Sequence, residues 1–320
     1  MDVSASSNGV MTVDHLRTLL SQQEGVQTLL DSVECSQAQY VVDLLQDVIT
    51  YPSIIDVAKL MLMAEQEIQN NASRITADPG AYRKRCKKSL QALVDKHDVL
   101  PSSLFIKDIV QETDRPLYGG GFSDVYRGVW GRQKVCLKVL RVHLEGEKLA
   151  RERVRREFHK EALLWTRLSH PNLLPCLGVN ATLFPEQFCM VSPWMPEGDV
   201  ITFLKSHPQT DRLLVILEIA AGISYLHSLE PEIVHGDIKG ANVLVDGHGR
   251  CYLADFGLSI AVGTTLINKT ITGKMQGSVR WMAPELFDYS DTTSSLSPEE
   301  TKGFRLARDI YAYACTVYEV

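Results

Sequence analysis

The segment Val234-His235-Gly236-Asp237-Ile238-Lys239-Gly240-Ala241-Asn242-Val243-Leu244 constrains this chain more than any other stretch. It sets an acid, Asp237, five residues before an amide, Asn242, and Ala254-Asp255-Phe256-Gly257 follows shortly after. A glycine run, Gly119-Gly120-Gly121, stands upstream, and Ala283-Pro284-Glu285 stands downstream. Any one of these pieces arises by chance. The ordered series does not.

Composition narrows the class. The 320 residues are 45% hydrophobic and 22% charged, ordinary values for a soluble globular protein. No apolar run is long enough to cross a bilayer. The most apolar segment, Leu213 to Leu226, is interrupted by Glu218 and Gly222 and reads as a buried helix. A formal charge of -6 gives no reason to expect nucleic acid as a partner. The start, Met1 to Asn8, is acidic and polar, unlike a secretory signal. Cysteines at 35, 86, 136, 176, 189, 251 and 315 form no Cys-x-x-Cys pair. That spacing argues against a zinc site or disulfide framework and for reduced thiols. The expectation is an intracellular, cytoplasmic protein with neither nucleic acid nor membrane as partner.

Three regions follow in order: a disordered start (1–10), a helical region (11–100), and a mixed region (101–320). In the second, Val26, Leu29, Leu30 and Val33 make one apolar stripe, and Val41, Leu44, Leu45 and Val48 repeat it. A third helix is expected from Ser53 through Leu60 and Met63, and Asp78-Pro79-Gly80 is read as a break. A last helix carries Tyr82, Cys86, Leu90 and Leu93 inward, with Arg83, Lys84, Arg85, Lys87 and Lys88 outward as a solvated face. These helices either shield the rest of the chain or offer a surface to a protein partner. Beyond Pro101-Ser102-Ser103, short β-branched runs (Leu104 to Ile109, Ser123 to Val129, Lys134 to Arg141) read as antiparallel strands. A helix is expected over Glu145 to Leu168, and from Asp199 the chain turns helix-rich. A small mixed lobe (about 104–195) followed by a helical lobe (about 196–320) is an α+β architecture with a cleft between its parts.

The glycines of Tyr118-Gly119-Gly120-Gly121-Phe122-Ser123-Asp124-Val125 free the backbone to approach phosphate oxygens; three glycines also make a plain hairpin turn. Lys138 ends an apolar strand, which implies a charge partner, and Glu161 on the following helix is the candidate. Two exposed residues on ordinary surfaces would read the same way. Phe188 to Asp199 reads as a strand running into an extended segment containing Pro193 and Met195.

From about residue 104 onward the chain resembles a eukaryotic protein kinase domain. Lys239 in His-Gly-Asp-Ile-Lys-Gly-Ala-Asn and the closing Gly277-Ser278-Val279-Arg280-Trp281-Met282-Ala283-Pro284-Glu285 resemble the Ser/Thr members of the tyrosine-kinase-like group. The wording is similar to expanded kinase families of mushroom-forming fungi. The resemblance implies a bilobal fold, ATP and Mg²⁺ as cofactors, and a protein substrate. It also implies roles. Asp237 orients or accepts the proton of the attacking hydroxyl, Lys239 neutralises the transferred phosphoryl group, and Asn242 and Asp255 bind Mg²⁺. Lys138, paired with Glu161, holds the α- and β-phosphates. Gly119, Gly120, Gly121, Val125 and Leu244 line the nucleotide. The Pro193 carbonyl and the Met195 N–H take the adenine, Ser192 guards the back of its pocket, and Asp199 takes the ribose. His235 and Phe256 pack to set geometry.

Three departures from the pattern stand out. Tyr118 and Ser123 occupy the outer glycine positions of the loop. Gly236 replaces the arginine that pairs with a phosphorylated activation segment, so activation by phosphorylation among Ser259, Thr264, Thr265, Thr270, Thr272 and Ser278 is not expected. The chain stops at Val320, inside what resembles the central helix of the large lobe. That predicts a domain incomplete at its C-terminus, with Ile310, Val317 and Tyr318 short of partners. Each large side chain left uncovered forgoes roughly 1.5–3 kcal/mol. A pseudokinase, a scaffold or an inactive fragment is the alternative to an active enzyme.

Overall fold

The computed structural model describes residues 11–22, 24–50, 79–119, 123–141, 148–185, 187–255, 279–286 and 298–320. The helix expected from Ser53, the loop glycines Gly120 and Gly121, Phe256 and the candidate phosphosites lie outside the described residues. The chain divides into two compact units, Met1–Leu104 and Phe105–Val320.

Four helices are described in the first unit: α1 (Val13–Ser21), α2 (Gly25–Ser32), α3 (Ala38–Thr50) and α4 (Pro79–His97). Thr12 caps α1, its hydroxyl accepting the His15 N–H at 3.2 Å. Leu16, Leu20, Leu29, Val41, Leu45, Cys86, Leu90 and Leu93 bury completely between the helices, so both apolar stripes and the inward face of α4 lie where their periodicity puts them. Two readings change. Pro79 and Gly80 open α4 rather than break the chain, because a first-turn proline gives up an N–H that has no intrahelical partner anyway. The basic face of α4 is also not merely solvated. Arg83 donates to the Ile49 carbonyl at 3.2 Å, Arg85 to the Leu20 carbonyl, and Lys96 to the Leu30 carbonyl. Those carbonyls belong to the last turns of α3, α1 and α2, which hold no basic residue of their own. One helix thus supplies positive charge to three negative helix ends.

The second unit begins with a sheet of β1 (Ile109–Gln111), β2 (Tyr118–Gly119), β3 (Ser123–Trp130), β4 (Gln133–Leu140), β5 (Gly178–Asn180) and β6 (Phe188–Pro193). Its order is β1-β3-β4-β6-β5, with β2 also on β3, and every pairing is antiparallel. One face buries Val135, Leu137, Val139, Cys189 and Val191 with Ile106 and Ile109; the period of two leaves Lys138 on the other face. The strand read over Leu104 to Ile109 is shorter than expected. Phe105 makes a single bridge to Val179, and Asp108, at φ 58°, interrupts the extended backbone before β1. Helix α5 (Lys148–Trp165) follows β4.

Next come β7 (Gly198–Asp199), α6 (Val200–Ser206), α7 (Arg212–Ser228), the hairpin of β8 (Val243–Val245) and β9 (Cys251–Leu253), and α8 (Pro298–Glu319). Helix α7 buries Val215, Ile219, Ile223 and Leu226, as a core helix should. Its first turns differ from the expectation, because Leu213, Leu214 and Leu217 are more than half exposed. Ile310 and Tyr318 of α8 are exposed too, and Val317 partly so.

Candidate active site

The turn between α7 and β8 is fixed from below by one carboxylate. Asp309 on α8 is fully buried. It accepts the His235 and Gly236 N–H groups at 2.8 Å each and meets His227 Nε2 at 2.8 Å. A buried charge needs such partners. The sequence reading missed Asp309 as a site residue; an acid among Ile310, Tyr311 and Ala312 was the signal. Gly236 has φ 76°, in the left-handed region that favours glycine. His235 is buried, its Nδ1 3.3 Å from the Asp237 N–H and its Nε2 3.1 Å from the Ala254 carbonyl. Nδ1 therefore accepts and Nε2 donates, which is the neutral ring. Burial holds its pKa below 6.5 against the pull of Asp309, Asp237 and Asp255.

The next five residues fold back on Asp237. Its Oδ2 accepts from Lys239 Nζ at 2.7 Å and from Asn242 Nδ2 at 2.8 Å, and its carbonyl takes Asn242 Nδ2 at 2.7 Å. The Gly240 N–H between them donates to Glu319 Oε2 at 3.0 Å, and Trp281 Nε1 reaches the same oxygen at 3.2 Å. The Asn242 carbonyl accepts the Ala254 N–H at 2.8 Å. That bond brings Asp255, at φ 64°, beside the loop.

Lys138 on β4 reaches across to Asp255 and forms an ion pair with its Oδ1. Burial disfavours the charged lysine, but Asp255 and then the nearby Glu161 overcome it and raise the ammonium pKa. Burial likewise works to raise the Asp255 carboxyl, and the Lys138 charge overrides it and lowers it. Glu161 is buried on α5 and acts on Lys138 through its charge, whereas Asp255 forms an ion pair with Lys138. Val125 pairs with Lys138 across the sheet, and Cys136 pairs with Ser192. Burial pushes the Cys136 thiol up to about 11, despite a hydrogen bond from Ser192. Pro193 ends β6 opposite Val135, Met195 follows two residues on, and Leu244 pairs with Asp199. Gly119 pairs with Asp124. Asp199 caps α6, its Oδ1 accepting the Ile201 and Thr202 N–H groups at 3.0 Å each. A cavity of about 480 Å³ between α5 and β5–β6, lined by Phe158, His159, Val179 and Phe188, contains none of these residues.

Residues 112–320 match the family model for protein tyrosine and serine/threonine kinases. The chain belongs to this family. Among curated proteins, it is 32% identical over 212 residues to the probable serine/threonine-protein kinase roco7 of Dictyostelium discoideum, covering 64% of this chain and 7% of that protein. It is 33% identical over 173 residues to the probable serine/threonine-protein kinase drkA of the same organism (52% of this chain, 25% of that one). It is 32% identical over 206 residues to the probable serine/threonine-protein kinase SIS8 of Arabidopsis thaliana (63% and 18%). The chain thus spans no more than a quarter of the length of these relatives. The kinase unit has the α+β architecture of the family, an antiparallel sheet lobe joined to a helical lobe, and its likeness is to the tyrosine-kinase-like type. Kinases of this family use ATP with Mg²⁺ and act on protein hydroxyls. No helix of the described residues is long and apolar enough to cross a membrane.

The donor set suits a hard cation. Asn242 Nδ2 is engaged by Asp237, so the amide Oδ1 is turned away from those bonds. Asp255 keeps Oδ2 beyond its pair with Lys138. One amide oxygen and one carboxylate oxygen on joined backbones match what Mg²⁺ takes from a protein, since it keeps most of its shell as water and phosphate.

Proposed function

We propose that this kinase unit transfers the γ-phosphoryl group of ATP to Ser or Thr hydroxyls of a protein substrate. The observation that carries the reading is the convergence of Asp237, Lys239, Asn242 and Asp255 on one loop and hairpin, with Lys138 reaching them from the sheet. Asn242 and Asp255 would hold Mg²⁺, which supplies charge neutralisation at the phosphates. Asp237 orients the incoming hydroxyl and takes up its proton, and the Asn242 and Lys239 contacts to Oδ2 fix the carboxylate beforehand. Lys239 is placed to follow the transferred group. Lys138 binds phosphate oxygens, with Glu161 maintaining its charge. Val125 and Leu244 line the base pocket, Pro193 and Met195 offer it a carbonyl and an N–H, and Gly119 would approach the phosphates. The Asp199 carboxylate already caps a helix, so any ribose contact shares a carboxylate that is partly engaged.

Gly236 brings no side chain to meet a phosphate, which supports transfer without phosphorylation of the activation segment. Both statements meet one assay: phosphate transfer to a generic protein substrate by wild type and Asp237→Asn, each before and after phosphatase treatment. Asp237→Asn is expected to lose roughly 10²–10⁴-fold, and phosphatase treatment is expected to change nothing. Equal transfer by the two proteins rejects the role of Asp237. Loss after phosphatase treatment rejects independence from phosphorylation.

A further inference from the structure

The sheet face that carries Lys138 also carries a cluster that none of the roles above uses. Residues paired across strands share a face, and Tyr118, Val125 and Lys138 follow one another in register, as do Arg127, Cys136 and Ser192. On that face the Tyr118 ring is stacked on Trp194, with centroids 6.4 Å apart and planes at 25°. The Arg127 guanidinium carbon lies 5.6 Å from the Trp194 centroid, and Glu112 holds Arg127 at 2.6 Å. The Trp194 backbone is anchored, its amide N–H donating to the Lys134 carbonyl at 3.1 Å.

Core packing does not explain this stack, because Tyr118 is 62% exposed. It joins the two segments that the kinase reading assigns to the nucleotide, the start of the glycine run and the stretch after β6. Tyr118 stands just before the glycine run, at the position where the kinase pattern has its first glycine. Trp194 stands between Pro193 and Met195. A bare backbone edge is thereby replaced by two flat π surfaces, one held in plane by a cation.

We propose that Tyr118 and Trp194, backed by Arg127, form the outer wall of the nucleotide-base pocket and retain the base of a bound nucleoside triphosphate by aromatic contact. The proposal rests on the kinase reading. Both residues are positioning residues: they act on the residence of the nucleotide, not on the phosphoryl group.

An exposed tyrosine is removable without opening the core, phenylalanine preserves its ring, and inorganic tripolyphosphate carries the phosphates of ATP without a base. The experiment measures release of a fluorescent N-methylanthraniloyl ATP with Mg²⁺ by stopped flow in wild type, Tyr118→Ala, Trp194→Ala, the double variant and Tyr118→Phe. Steady-state transfer and competition by Mg-tripolyphosphate are measured alongside. Either alanine is expected to speed release and raise KM for ATP by roughly 2- to 10-fold, with kcat at saturating ATP nearly unchanged. The double variant should be little worse than either single one, because the two rings form one contact. Tyr118→Phe should behave as wild type, and the tripolyphosphate inhibition constant should not move. Unchanged release in a folded Tyr118→Ala overturns the wall while leaving the kinase reading intact. So does a change in tripolyphosphate inhibition equal to the change for ATP, since the effect then lies at the phosphates. Wild type that binds no nucleotide overturns both.

Discussion

His235 shows how much of this site is decided one side chain at a time. It carries no proton to the substrate, yet its ring joins the Asp237 amide to the Ala254 carbonyl and so sets the distance between the loop and Asp255. That bridge works only with the neutral ring, and burial keeps the folded pKa below the ordinary 6.5. The unfolded chain therefore binds this proton more readily than the folded one. The contribution of His235 is complete above about pH 6.5 and is lost as pH falls from there toward the lower folded value. The expected result is that the urea midpoint of wild type exceeds that of His235→Gln at pH 7.5, and that the gap narrows by pH 5.5. A gap that widens on acidification would show that the ring is charged in the folded state. Within this loop the sequence was legible for the groups that face the cleft, because Asp237, Lys239 and Asn242 carry chemistry that an apolar hairpin does not need. The support was not legible. Asp309 and Glu319 reach the loop from α8, more than seventy positions away, and no local pattern announces where an acid on a distant helix will land.

Elements were legible where one face decides the fold and illegible where a second element intervenes. The stripes of α2 and α3 follow from periodicity alone. The cations of α4 do not, since their orientation was set by three carbonyl ends contributed by other helices. Helix α7 is the mixed case: its buried half was readable, and the exposure of Leu213, Leu214 and Leu217 was not, because composition does not say which side a neighbour covers. Gly222 marks its tightest approach. A Cβ there would stand 2.8 Å from Leu253 Cδ1 and 3.0 Å from the Asn172 carbonyl oxygen. The leucine tip yields readily, but the backbone oxygen does not, because Asn172 is bonded to the Leu253 N–H at 2.9 Å. Alanine favours a helix over glycine by about 1 kcal/mol, and overpacking costs about 1–3 kcal/mol. Gly222→Ala is expected to lower stability by up to about 2 kcal/mol on balance, read as a lower midpoint in chemical denaturation at unchanged slope. A midpoint at or above wild type would mean that α7 slides away from β9 without cost. Because Leu253 is two residues from Asp255, the same variant should also lose transfer activity.

At the scale of the whole kinase unit, the contact that matters most is the one between sheet and hairpin. Lys138 comes from β4 and Asp255 from the end of β9, and each supplies the other's countercharge. On the proposed reading, Mg-ATP would divide that pair, the lysine going to phosphate oxygens and the carboxylate to the metal. Both charges exchange one partner for another, so binding proceeds without stranding either of them in the half-buried cleft. Nucleotide at about 100 times its Kd should add about 2.7 kcal/mol to the unit, or roughly 5–10 °C in Tm for a domain of this size. Lys138→Met removes the phosphate partner and leaves Asp255 without its cation, so the same addition of Mg-ATP should move Tm little. The melt of the full chain with Mg-ATP, Mg²⁺ alone and neither, for wild type and Lys138→Met, checks this. Shifts of equal size in the two proteins would place the phosphates elsewhere than at Lys138. A shift with Mg²⁺ alone that equals the shift with Mg-ATP would show that Asn242 and Asp255 bind the cation without the nucleotide, so that the pair with Lys138 opens to the metal first.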